Sequence, residues 1–229
     1  MSKIILAGGG NAERSNLVDE YFSELEPAMK TLFIPQAISP KQWSYDKALD
    51  WINKPKAFRN VSITMWRDIN NKSIKDIKEF DSIYIMGGNT YELLCQLRST
   101  GFLAIISEAI ELGKTVYGIS AGAYVLGKSV NERLPLNDEN KNSVGLSNLD
   151  ALDALSGYNV HCHYDSNHDK HLFDFEKKYR IPLIAIPETS GVVIENGFGK
   201  VVGYDPVSVF NTNEKKTVYQ PRQSFQLVS

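Results

Sequence analysis

The feature that most constrains this chain is an alternation. Short runs of aliphatic and β-branched residues are separated by longer stretches whose apolar residues recur at helical spacing, and several of the early runs stop at glycine. Strands that alternate with helices build parallel βαβ units, because a crossover long enough to connect parallel strands is long enough to hold a helix. The pattern predicts strands over 3–7, 30–34, 61–65, 82–86 and 115–118, and helices over 13–29, 44–51, 73–79, 91–97, 104–112 and from 121 to 126. Further on it predicts a helix over 169–179 and strands over 183–186, 191–194 and 200–204, the last two joined by an Asn196-Gly197 hairpin turn. The tail from Val207 reads as an edge strand or a surface extension. The expected fold is α/β: a mostly parallel central sheet flanked by helices, with antiparallel C-terminal hairpin strands. The 229 residues carry no internal repeat or linker, so one domain over 1–229 is expected.

Composition removes several classes of function. Net charge is −2, with no basic stripe of the kind that binds nucleic acid. No apolar run approaches a membrane span, and 4–7 is too short for the core of a signal peptide, so a cytoplasmic protein without a membrane partner is expected. Two cysteines, Cys95 and Cys162, do not make a disulfide scaffold. The segment 131–148 is long, polar and aperiodic, as functional loops often are.

Chemistry concentrates at strand ends. Gly118-Ile119-Ser120-Ala121-Gly122 follows a β-branched strand and precedes small and apolar residues, the context a G-x-S-x-G nucleophile elbow requires. Glycines there let strand and helix approach closely, and the helix amides face a developing oxyanion. Met86-Gly87-Gly88-Asn89-Thr90 ends another strand, where ligands gather in open α/β sheets. Gly88 is placed to offer an oxyanion amide. Asn89 and Thr90 either bind substrate backbone or cap the following helix. A serine nucleophile needs a base. All four histidines, His161, His163, His168 and His171, fall in one short segment. If that segment is extended, His161 and His163 point the same way, and with Asp165 they would also make a tolerable zinc set. The carboxylate that would orient the imidazole is open among Asp138, Glu139 and Asp165.

The ordered set of Gly8-Gly9-Gly10, Met86-Gly87-Gly88-Asn89-Thr90, Gly118-Ile119-Ser120-Ala121-Gly122 and His163-Tyr164 resembles the peptidase E family, α-aspartyl dipeptidases related to cyanophycinase. The resemblance runs from the first strand to about Gly203. It implies a fold like that of class I glutamine amidotransferases, with serine in place of cysteine at the elbow, and a dipeptidase that needs no metal or other cofactor. It implies Ser120 as nucleophile, His163 as base, Asp138 as triad acid with Glu139 as the near alternative, and the amides of Gly88 and Ala121 as the oxyanion hole. The implied partner is a short peptide, Asp-X dipeptides among the candidates, bound by a monomer or homodimer. One departure stands out. Aspartate-selective members carry a basic residue in a loop after the histidine, and here no arginine occurs before Arg180, leaving Lys170 and His171. The competing readings are a non-catalytic binding module on the same fold and an acyl or amide hydrolase of other specificity.

Overall fold

Four of the five early apolar runs become strands buried on both faces, as parallel strands covered by helices on each side must be, and the run at 61–65 forms a partly exposed edge strand. The computed structural model describes residues 2–26, 28–38, 43–132, 141–211 and 215–228. In it β1 (Ile4–Ala7), β2 (Lys30–Ile34), β3 (Ser62–Met65), β4 (Ser82–Ile85) and β5 (Thr115–Ile119) lie parallel in the order β3-β2-β4-β5-β1. Past β1 the sheet continues antiparallel through β8 (Ser190–Glu195), β9 (Phe198–Gly203) and β12 (Ser224–Gln226). The β8–β9 connection is the expected Asn196-Gly197 turn, with both residues at positive φ.

Successive residues of the central strands serve opposite cores. Ile5 and Ala7 of β1 face one layer with Phe33, Tyr84 and Tyr117, covered by α1 (Asn16–Ser23) and α2 (Tyr45–Asn53). Ile4 and Leu6 face the other, covered by α3 (Thr90–Ser99), α4 (Phe102–Glu111) and α5 (Ala121–Tyr124). This second layer also receives Val160, Ile184, Ile186 and Val209 from a separate four-stranded sheet. That sheet runs β11-β10-β7-β6, with β6 (Asn159–Cys162), β7 (Leu183–Ile186), β10 (Val207–Asn211) and β11 (Lys215–Tyr219). Its far face is closed by Leu172 and Phe175 of α6 (Asp169–Tyr179).

The α/β class, the large mostly parallel sheet and the antiparallel margin are as expected; three local expectations are not. Of the two readings of the tail, the edge strand holds for its last two segments, which end the two sheets, but the surface extension does not, because Val207, Ser208, Val209 and Phe210 are all buried inside the second sheet. The helix over 13–29 shortens to α1, since Asn11 holds the amides of Glu13 and Arg14 in a side-chain-closed turn. The helix over 73–79 is a series of turns with i to i+3 bonds, started by the Asp76 carboxylate accepting from the Ser73 amide and hydroxyl. No single helix among the described residues is long and apolar enough to cross a membrane.

One buried charge sits in the α1 layer. Tyr117 stacks on Tyr84 with ring centroids 4.5 Å apart, and its hydroxyl donates to Asp19 Oδ1 at 2.6 Å while Ser15 donates to Oδ2 at 2.8 Å. Burial raises the Asp19 pKa from 3.8 to about 6, against the lowering effect of those two hydrogen bonds. The folded state therefore binds this proton more tightly than the unfolded chain. Its stabilising effect is complete below the unfolded pKa and is lost as pH rises through about 6. Asp19→Asn mimics the protonated acid. Urea unfolding at pH 8 should find the variant more stable than the wild type by roughly 1–3 kcal/mol, with the gap narrowing as pH falls to 5.

Candidate active site

The C-terminal ends of β1, β4, β5, β6 and β7 converge, and each delivers one part of a site. At the end of β5, Ser120 takes φ 50° and ψ −112°, a conformation β-carbon-bearing residues rarely adopt. Two glycines make room for this turn. A Cβ on Gly118 would lie 2.4 Å from the Gly122 carbonyl oxygen, and one on Gly122 would lie 2.1 Å from that of Ile85. The Ser120 amide is tied to the Ala7 carbonyl at 3.1 Å, so the end of β1 sets the height of the serine.

His163 follows β6 directly and has φ 54°, so the strand ends there. Its amide donates to the Gly8 carbonyl at 2.8 Å, and its ring lies where a Cβ on Gly9 would stand, 2.3 Å from Cε1. This explains part of the glycine run after β1. Below the ring, the Tyr124 hydroxyl of α5 accepts from the Cys162 amide at 3.1 Å. The imidazole Nε2 meets Ser120 Oγ at 2.8 Å, and Nδ1 meets Glu188 Oε1 at 2.8 Å. Glu188 stands just beyond β7, and its other oxygen accepts from the Arg14 guanidinium. Burial pushes the Glu188 carboxyl up, but the hydrogen bonds from His163 and Arg14 outweigh it and hold its pKa below the usual carboxylate value. The carboxylate thus stays charged at neutral pH beside the imidazole.

The acid beside His163 is therefore Glu188, which sequence reasoning missed. Asp138 and Glu139 lie outside the described residues. Asp165 is occupied elsewhere, capping a short 3-10 helix by accepting from the Asn167 amide at 2.9 Å. The signal that could have found Glu188 is positional: Pro187-Glu188-Thr189 follows a buried strand, the same address as the serine and the glycine turn. Arg14 was missed as well.

His161 and His163 do not share a face. The left-handed turn at His163 separates them, and His161 is wholly buried, its Nε2 3.0 Å from His168 Nδ1. Among the described residues, no three histidine, cysteine or carboxylate side chains gather as a zinc set would require. Asn89 caps α3, its side-chain oxygen accepting from the Tyr91 and Glu92 amides at 2.9 and 3.1 Å. Thr90 is buried, and neither residue lines the cavity beside Ser120. Of the two readings of this pair, helix capping is the one seen for Asn89. Gly88 does line that cavity. Its amide has no backbone acceptor among the described residues, and the Ala121 amide, at the first position of α5, has none within the helix. Lys170 pairs with Asp174 at 2.5 Å, and His171 Nε2 donates to the Glu132 carbonyl at 2.7 Å; neither borders the cavity.

Comparison with known families accords with this geometry. The model of peptidase family S51 matches residues 4–202. The chain belongs to peptidase family S51. An uncharacterised peptidase of Listeria monocytogenes is 30% identical over 155 residues, covering 66% of this chain and 72% of its own length. A peptidase E of Shewanella denitrificans is 26% identical over 191 residues, covering 82% and 80%. Among solved structures, a peptidase from an acI-B1 Actinobacterium superposes with a TM-score of 0.66 at 21% identity, covering 99% of this chain and 97% of its own, which shows a shared fold. This S51 member is thus a peptidase of the peptidase E group.

The elbow geometry carries a direct consequence for folding. Gly122→Ala would drive a methyl into the Ile85 carbonyl, a contact with backbone that cannot swing away. Chemical denaturation should show a loss of about 2–4 kcal/mol, or no soluble protein at all.

Proposed function

We propose that this S51 peptidase is a serine-type dipeptidase that works through Ser120, His163 and Glu188. The observation that carries the reading is the unbroken relay from Ser120 Oγ through both imidazole nitrogens to a charged carboxylate, with both contacts at 2.8 Å. In the reaction, Ser120 Oγ attacks the peptide carbonyl and His163 Nε2 takes its proton. Glu188 holds the imidazole with Nε2 free to accept and stabilises the imidazolium that forms. The amides of Gly88 and Ala121 receive the oxyanion. His163 then hands the proton to the leaving amine as the C–N bond breaks, and water repeats the cycle on the acyl-serine. Arg14 keeps Glu188 ionised and fixes its second oxygen, which makes it a positioning residue. Support for a short substrate comes from the resemblance to peptidase E and from the cavity beside Ser120, whose volume of about 230 Å³ is below the usual range of ligand pockets.

Ser120→Ala should lower dipeptide hydrolysis to under a few per cent of wild type and remove labelling by a fluorophosphonate probe. Glu188→Gln should lower kcat by roughly 100- to 10,000-fold with KM changed little, since it disturbs the imidazole rather than the binding surface. Asp138→Asn and Glu139→Gln should keep near wild-type kcat. The reverse pattern, with Glu188→Gln active and a loop variant dead, would return the acid role to the loop.

A further inference from the structure

The cavity beside Ser120 has a lining that the relay does not account for. Away from Ser120 and His163 its walls are Trp43, Trp51, Met86 and Ile119. Met86 and Ile119 are themselves buried at the ends of β4 and β5, and the two half-buried indoles pack against the same core from α2 and the turn before it. Gly9, Gly10, Gly87 and Gly88 form the remaining edge. Among the described lining residues the only titratable side chain is His163, which is engaged on both nitrogens. The nearby guanidinium of Arg14 is directed to Glu188, and Lys170 to Asp174.

This composition selects. A carboxylate moved from water into such a slot loses hydration and meets no cation among the described lining residues. An aromatic or branched aliphatic side chain instead buries apolar surface between two indoles, which favour ring contacts. The volume has room for one such side chain. We propose that the slot formed by Trp43, Trp51, Met86 and Ile119 is the specificity pocket, and that it takes a large apolar side chain next to the scissile bond, aromatic foremost, and not aspartate. The inference rests on the dipeptidase reading above. It assigns these four residues to substrate selection.

The test is a panel of Phe-Ala, Ala-Phe, Leu-Ala, Ala-Ala and Asp-Ala with the purified full chain, read as kcat/KM. At least one phenylalanine dipeptide should exceed Asp-Ala by about tenfold or more. Trp43→Ala and Trp51→Ala should each lower the ratio of the preferred phenylalanine substrate to Ala-Ala by roughly tenfold, and the wild-type panel decides the question even if one variant fails to fold. Preference for Asp-Ala, or equal rates across the panel, overturns the apolar pocket while leaving the dipeptidase standing. Hydrolysis of no member by protein whose Ser120 still reacts with the fluorophosphonate overturns both.

Discussion

The end of β1 is the point on which the site depends. Within two residues, the Ala7 carbonyl accepts the Ser120 amide, the Gly8 carbonyl accepts the His163 amide, and the Gly8 amide donates to Ser190 at 3.0 Å. Three segments separated by 43 and 27 residues are thereby pinned to one short stretch of backbone. Side chains at this spot would obstruct the assembly: a Cβ on Gly8 would lie 2.1 Å from the Pro187 carbonyl oxygen, and one on Gly9 would strike the His163 ring. Backbone hydrogen bonds of this kind are short and directional, so they set serine, imidazole and carboxylate at contact distance with little help from the side chains' own flexibility.

The second sheet has a specific part in this. β6 and β7 run parallel, and their C-terminal ends present His163 and the turn holding Glu188 side by side. The main sheet supplies the serine and the glycine turns, and the smaller sheet supplies His163 and the turn that carries Glu188. The core between them, with Tyr124 of α5 bonded to Cys162, holds the two halves in register. A chain of contacts from Ser120 through His163 to Glu188 that is split across two sheets depends on packing between layers, so losing apolar contacts far from the serine should loosen the geometry before it unfolds the chain.

Much of the site was legible at the level of residue type. The elbow glycines and the Gly87-Gly88 turn are readable because each follows a buried strand, and steric demand leaves few residues that fit there. His163 was separable from His161 only through the resemblance to a known family, because both read as parts of one extended run and the left-handed turn at His163 is no property of the residues alone. Glu188 was not readable. It lies 25 residues beyond His163, in a strand-ending turn with no local pattern, while the polar loop at 131–148 drew attention for its length and charge. Asn89 was legible as a helix cap, one of its two readings, because a polar residue at a strand end can serve the backbone amides of the helix that follows.

By itself the sequence determined the alternating α/β plan, the position of the elbow serine and the hairpin at Asn196-Gly197, because periodicity, β-branching and glycine sterics act over a few residues. The tertiary structure alone decided which carboxylate meets the imidazole, that the C-terminal strands build a second buried sheet, and that two tryptophans and a methionine wall the cavity beside Ser120. Those outcomes come from contacts between residues far apart in the chain. They follow from which strand ends the packed layers bring together, and no local pattern encodes that distance.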